Sequence, residues 1–139
     1  MNVLKSLNFK TNIKKFAINN DENTVICVNT SDIGILERAK KSENIFAEVK
    51  SKYENAEKAN AFELMADLDK SVRNQINYIF GSDVSTAAFG TANCVSTCDG
   101  VPMYVGFLTA LLEEVKKDLE AENAMTKAHI NKYVSQIKK

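Results

Sequence analysis

The side chains that could act as nucleophiles or bases are few and widely separated in this chain of 139 residues. His129 is the only histidine, and it lies in a polar stretch of a predicted helix. A Cys–His pair for nucleophilic catalysis requires Cys27, Cys94 or Cys98 to meet that imidazole in space, and no spacing in the sequence indicates such a meeting. We therefore expect an exposed histidine and a protein that is not an enzyme.

The cysteines raise the question of a metal site. Cys94 and Cys98 lie one helical turn apart and could share a metal, but a structural zinc site needs four ligands. The single histidine is more than 30 residues away. An odd number of cysteines also argues against a disulfide framework. We expect reduced thiols that behave as small buried hydrophobic side chains, with no metal and no cofactor.

Carboxylates on one predicted helix form the pattern of surface ion pairs. Asp67 and Asp69 follow Glu63 by one turn, and Lys70 and Arg73 stand three and four residues beyond them. Side chains at these spacings are neighbours on a helix surface. A catalytic pair needs a second carboxylate converging from elsewhere, and the sequence identifies none. The glycines likewise form no phosphate-binding loop.

The charge balance excludes broad classes of partner. Lysine and arginine together equal aspartate and glutamate, 18 of each, so no overall field attracts nucleic acid or an acidic membrane. Lys10, Lys14 and Lys15 lie near Phe9 and Phe16, as in a strand that stacks nucleic-acid bases. Lysines on an edge strand also discourage aggregation, which is the interpretation we favour. No apolar run is long enough to span a bilayer, so we expect a soluble, intracellular protein.

The first elements form a predicted β-hairpin over residues 1–29. Leu7, Phe9 and Ile13 alternate with polar residues, and Phe16 and Ile18 resume the alternation. A turn cluster at 19–23 precedes a second, β-branched strand at 24–28. An isolated hairpin is marginal in water, so its apolar face must lie on the helices or on another subunit's sheet.

Two amphipathic helices form a predicted helical hairpin over residues 30–81. Apolar residues from Leu36 to Ala56 recur at helical spacing and predict one helix of roughly 25 residues, capped by Thr30 or Ser31. A second stripe runs from Phe62 to Ile79 and ends at Gly81, which can supply a left-handed turn.

The remaining chain forms a corner and a final helix. Phe80-Gly81 precedes a corner over residues 82–100, and Phe89-Gly90 ends a short helical turn inside it. Pro102 suits the first turn of a C-terminal helix, or helices, over 101–139. The sequence thus predicts a single α+β domain over residues 1–139, an N-terminal β-hairpin followed by a mainly helical domain of about four helices.

The aromatic residues suggest a binding surface. The helices and the corner carry more aromatic side chains than one small helical layer usually buries, so some are expected at a partner interface. The alternative is that all of them belong to the core. The candidate partner-binding residues, either as contacts or as scaffold, are Phe46, Val49, Tyr53, Phe80 and Phe89.

Three segments carry a resemblance to a known family. Residues 75–81 read QINYIFG, residues 88–90 read AFG, and residues 105–115 read VGFLTALLEEV. With the order of elements, they resemble the small tail assembly chaperones of phages and prophages of Firmicutes, which are encoded near the tape-measure gene. These pieces and the segments between them span residues 75–115, less than a third of the chain, and elsewhere the match is in the order of elements.

The resemblance implies a function that composition does not. Tail assembly chaperones are mainly helical, non-enzymatic proteins that bind the phage tape-measure protein and keep it soluble in the cytoplasm of the host bacterial cell. The resemblance therefore implies the tape-measure protein as partner, together with self-association. Two alternatives stay open: a structural phage tail component whose hairpin joins a neighbour's sheet, and a small phage-borne inhibitor of a host protein.

Overall fold

The structure is a computed structural model that describes residues 3–137, and it combines a β-hairpin with a mainly helical region. The elements are β1 (Ile13–Ile18), β2 (Asp21–Asn29), α1 (Ile33–Lys41), α2 (Glu43–Glu54), a 3-10 turn (Lys58–Asn60), α3 (Ala61–Phe80), α4 (Ser85–Phe89), β3 (Thr97–Cys98), β4 (Val101–Pro102) and α5 (Met103–Ile137). The predicted α+β class is confirmed. Among residues 3–137, no helix combines the length and apolar character that crossing a bilayer requires.

Two asparagines make the turn between the antiparallel strands β1 and β2. Asn19 and Asn20 have φ values of 50° and 65°. This is the left-handed conformation that a type I′ turn requires at both central positions, and asparagine adopts it more readily than most L-residues. The register places Phe16 opposite Ile26, and both side chains pack into the core. The predicted hairpin is therefore present, with its inner face on the helices.

The predicted first strand is wrong over residues 7–12. Leu7 and Phe9 are 89% and 80% exposed, and residues 3–11, which we name the arm, belong to no strand or helix. The reason is the partner strand: Asn29 ends β2 opposite Ile13, and the chain then turns into α1. Alternation in the sequence specifies two faces of a strand, but it does not supply a backbone partner.

Polar contacts tie the hairpin to α5. The Lys14 ammonium lies 2.6 Å from a carboxylate oxygen of Asp118, and the Thr30 hydroxyl donates to the same carboxylate. The Asn12 amide donates to Glu122 at 2.9 Å. The hydrogen bonds from Lys14 and Thr30 lower the pKa of Asp118. Polar side chains on one face of α5 therefore bind β1, and Phe16 and Ile18 of β1 add apolar contacts with the core.

The predicted long helix is broken into α1 and α2 at Ser42. Asp32, rather than Thr30 or Ser31, caps α1, accepting the Gly34 N–H at 2.8 Å. The Ser42 side chain is fully buried; its hydroxyl donates to the Arg38 carbonyl at 2.7 Å and accepts from the Gln75 amide at 2.5 Å. A serine that bonds its own backbone competes with the helix. The residue at the break thus contacts both its own helix and α3.

The central helix, α3, agrees with its predicted stripe. Leu68, Val72, Ile76, Ile79 and Phe80 are buried, and they belong to one core that also includes residues from the hairpin, α1, α2, α4 and α5. The helix ends as predicted at a left-handed glycine, whose φ is 74° and whose N–H donates to a carbonyl one turn back. A residue at the start of the predicted stripe, Phe62, is instead 94% exposed.

An ion pair on α3 clamps the corner that follows. Arg73 bonds Asp69 at 3.1 Å and donates to the carbonyls of Gly90 and Ala92 at 2.8 and 2.7 Å. The Asp69 carboxylate also accepts the Cys94 N–H at 2.8 Å, and the guanidinium lies 5.6 Å from the centre of the Phe89 ring. The i,i+4 pairing is as predicted, but the two side chains are mostly buried. The Asp69–Arg73 pair therefore fixes the corner to α3 rather than lying free on the surface.

The final helix, α5, is continuous over 35 residues. A two-residue turn at Asp99 and Gly100, with φ values of 53° and 81°, joins the short strands before it. Pro102 ends β4 directly before the helix. Leu111 and Val115 enter the core, whereas from residue 123 onward the helix is exposed wherever its side chains are described.

Replacing Arg73 by methionine tests the clamp. Arg73→Met keeps the aliphatic stem but removes the donors, so we expect a loss of about 2 kcal/mol in the free energy of unfolding by urea. The matched control is Lys52→Met, which breaks the i,i+4 pair with Glu48 on the exposed surface of α2 and should change stability little. Equal losses in the two variants would contradict the clamp.

The Asp69 carboxyl should make stability depend on acid pH. Its partial burial on its own would raise its pKa, but hydrogen bonds from Cys94 and Arg73 outweigh burial, and the pKa is lowered. Stabilisation is therefore complete above the unfolded-state pKa and is lost as pH falls below about 4. In urea titrations, Asp69→Asn should be less stable at neutral pH and flatter towards acid. Asp67→Asn, exposed on the same helix, should follow the wild-type curve.

Candidate partner-binding grooves

The five predicted partner-binding residues occupy different environments. Val49, Phe80 and Phe89 are 3%, 7% and 6% exposed, so in this chain they belong to the core. Phe46 is half-buried, and Tyr53 is 43% exposed. Direct contact with a partner therefore remains a prediction for Phe46 and Tyr53, and a scaffold role remains a prediction for the other three residues.

Phe46 forms one wall of an open cleft between α2 and α5, which we name the helix groove. Its ring stacks on Tyr104 with centroids 5.8 Å apart and planes 16° from parallel, and the cleft has a volume of about 340 Å³. The lining residues are Phe46, Ala47 and Lys50 from α2 and Tyr104, Val105, Leu108, Thr109 and Leu112 from α5. Its walls are mostly apolar, with one cation at the rim.

Tyr53 continues the same helix face beyond the groove. Phe46, Val49 and Tyr53 follow at steps of three and four residues, so they share one face of α2. Val49 packs inward, while the half-exposed ring of Tyr53 faces solvent two turns from Phe46. An aromatic ring with one polar end suits a surface that is wet alone and covered in a complex. The exposed part of this face thus combines a groove with a nearby aromatic side chain.

Phe89 forms the floor of a second cleft, between the hairpin, α4 and α5, which we name the hairpin groove. Its ring meets Phe107 edge to face at 5.5 Å, and Phe107 meets Phe80 at 6.4 Å. The cleft has a volume of about 440 Å³. The lining residues are Phe16, Ala17, Ile18, Asn19, Ile26, Ala88, Phe89, Met103, Gly106, Phe107, Ala110, Leu111 and Glu114.

Small residues on α5 keep the hairpin groove open. Gly106 and Ala110 lie one turn apart on the side of α5 that lines it. A Cβ placed on Gly106 would meet nothing within 4 Å, and its φ is an ordinary negative one. Glycine inside a helix costs about 0.5–1 kcal/mol relative to alanine, and here neither backbone conformation nor packing requires it. Gly106 and Ala110, two small residues at helical spacing in an apolar helix, were a sequence signal for this groove that we did not use.

The groups that could do chemistry are dispersed. Within residues 3–137 no three His, Cys, Asp or Glu side chains are grouped as a metal site. Cys94 is buried, whereas Cys98 is exposed, and His129 lines only a shallow cleft on the exposed part of α5. Burial, followed by the nearby Asp69 carboxylate, raises the pKa of the Cys94 thiol to about 12. This thiol is therefore protonated and unreactive at neutral pH.

Comparisons with known proteins do not assign these grooves. No protein-family model, no curated protein and no solved structure matches the chain.

Thiol labelling tests the different environments of the three cysteines. With a maleimide at pH 8, the exposed Cys27 and Cys98 should react within minutes, while Cys94 should react only after unfolding. The Cys27→Ser/Cys98→Ser variant should therefore incorporate no label until denaturant is added, as measured by mass spectrometry. Rapid labelling of this folded double variant would show that the corner opens around Cys94.

Proposed function

We propose that the protein is a non-enzymatic holdase that binds amphipathic helices of a partner in the helix groove. The observation that carries this proposal is an open, mostly apolar cleft between two helices, walled by the Phe46–Tyr104 stack. A helix docks in such a cleft by inserting large apolar side chains at positions i, i+3 or i+4, and i+7. Leu108 and Leu112 line the cleft at a matching spacing on α5.

The charges around the groove suit a helix with a polar outer face. Lys50 lies on the groove rim and offers an ammonium to an acidic residue flanking the apolar stripe of a bound helix. On the same helix, Glu48 and Lys52 pair with each other at 2.9 Å and remain exposed. Orientation of the bound helix then comes from one rim cation, while affinity comes from the apolar walls.

The partner that we propose is the phage tape-measure protein. The basis is the resemblance of residues 75–81, 88–90 and 105–115 to tail assembly chaperones, and residues 105–112 line the helix groove through Val105, Leu108, Thr109 and Leu112. A long helical protein exposes apolar stripes until the tail tube forms around it. Covering those stripes with many copies of a small, charged protein keeps it in solution, and this takes place in the cytoplasm of the host bacterium.

Co-expression with the tape-measure protein of the same genome tests the proposal. We expect the tape measure to appear in the soluble fraction, in a complex that contains many copies of this chain by light scattering. Val105→Glu places a carboxylate where an apolar side chain should dock and should reduce the soluble tape measure at least tenfold. The matched control is Val134→Glu on the same helix, because Val105 and Val134 are 38% and 39% exposed.

A second matched pair separates the aromatic face from tyrosines in general. Tyr53→Ala should weaken the complex, whereas Tyr78→Ala should not, although the two rings are 43% and 45% exposed. If Val105→Glu retains as much tape measure as Val134→Glu, the helix groove is not the binding site. A tape measure that stays insoluble beside rings of this chain would favour the structural tail component. A monomer that binds one host protein tightly would favour the inhibitor.

A further inference from the structure

The arm, residues 3–11, exposes apolar side chains that its own fold does not cover. Val3, Leu4, Leu7 and Phe9 are between 80% and 95% exposed. Single exposed apolar residues are ordinary on a protein surface, but four within seven residues form a patch of the kind that marks an interaction site. The arm is also purely basic, because Lys5 and Lys10 are its charged residues.

The hairpin groove has the complementary character. It is an apolar cleft of about 440 Å³ with Glu114 at its edge. The Glu114 side chain is 41% exposed, and its ion pair with Lys117 is long, at 3.6 Å. In an extended arm, Lys5, Leu7 and Phe9 point to the same side, with neighbouring side chains on that side about 7 Å apart, whereas Lys10 points to the opposite side. The arm thus offers two apolar side chains and a cation to a cleft that offers apolar walls and a carboxylate.

Phe9 cannot reach the aromatic floor of the groove in its own chain. Its root is held beside Glu122, because the Asn12 amide donates to Glu122 and Ser31 and the Asn12 carbonyl accepts from Thr30. At about 1.5 Å per residue, Phe107 in the groove lies roughly 22 Å along α5 from Glu122. An extended chain reaches at most about 3.4 Å per residue, so Phe9 extends only about 10 Å and Leu7 about 17 Å from Asn12.

We propose that the arm of one copy binds in the hairpin groove of a second copy, with Leu7 and Phe9 against Phe89 and Phe107 and a lysine of the arm near Glu114. The proposal goes beyond the proposed function and does not depend on it, because the helix groove lies on another side of α5. The contact is heterologous: each copy gives an arm to one neighbour and receives an arm from another. Such contacts continue into rings or open chains, and two copies that exchange both arms close into a dimer.

The contact is small, so assembly should depend on concentration. An aromatic side chain buries about 150–250 Å², and an arm of this length gives an interface at the lower end of the range for specific complexes. We expect the purified wild-type chain to be monomeric when dilute and to form larger species as concentration rises, as measured by sedimentation velocity. Because Lys and Glu take part, added salt should weaken assembly.

Two variants disable the two halves of the contact separately. Leu7→Ser/Phe9→Ser removes the apolar side chains of the arm, and both residues are exposed, so the fold should be unaffected. Gly106→Leu fills the groove from a position whose Cβ meets no other atom within 4 Å. Each variant alone should remain monomeric at concentrations at which the wild type assembles. Mixed together, they should form a 1:1 heterodimer, because one copy keeps its groove and the other keeps its arm.

A control variant tests whether removing exposed apolar residues elsewhere on the surface also prevents assembly. Ile33→Ser/Phe62→Ser removes an aliphatic and an aromatic residue that are 73% and 94% exposed elsewhere on the surface, and it should assemble like the wild type. A wild type that stays monomeric at every concentration overturns the proposal. Assembly of either disabled variant alone also overturns it. A mixture that gives no heterodimer overturns it as well, and this is the result expected if two arms pair with each other. Because these experiments use no tape-measure protein, the two proposals fail independently.

Discussion

The structure depends most on the clamp that Asp69 and Arg73 form on α3. Without it, the segment between α4 and α5 would have to satisfy the carbonyls of Gly90 and Ala92 and the N–H of Cys94 by other means. Gly90 and Ala92 are exposed, but Cys94 is buried, and an unpaired N–H there is costly. The clamp meets all three needs from one turn of one helix, so it directs the chain from the end of α4 towards the start of α5.

The clamp also determines where the aromatic floor lies. Because the guanidinium of Arg73 lies over the Phe89 ring, Phe89 is held facing α5, where it meets Phe107 edge to face. Phe80 contacts the same ring from the end of α3. Three phenylalanines from three helices thus form one cluster, and the hairpin groove opens above it. The hydrogen-bonded Arg73 and the apolar hairpin groove are thus linked through the Phe89 ring.

One helix, α5, serves the core and both grooves. Leu111 and Val115 are buried, Tyr104 and Leu108 face the helix groove, and Gly106 lines the hairpin groove. A helix that is apolar over so wide an arc is normally buried all round; here parts of that arc are left uncovered. The two proposals account for this: one groove receives a helix of a partner, and the other receives the arm of a neighbouring copy, so that many copies can bind one long protein side by side.

The sequence by itself determined the local features of this protein. The β-hairpin, the stripe of α3 and the glycine that ends it depend on residues that are close along the chain, and local sequence was enough to predict them. The hairpin turn is tighter than the predicted cluster at 19–23, because Asp21 already begins β2. It was not enough for the break at Ser42, which involves Gln75 on another helix, or for the bare arm, which lacks a strand opposite it. Nor did it distinguish Phe80 and Phe89, which are buried, from Tyr53, which is exposed. Periodicity identifies which residues share a face, but only the tertiary structure decides what covers that face, because burial and pairing depend on elements distant in the chain.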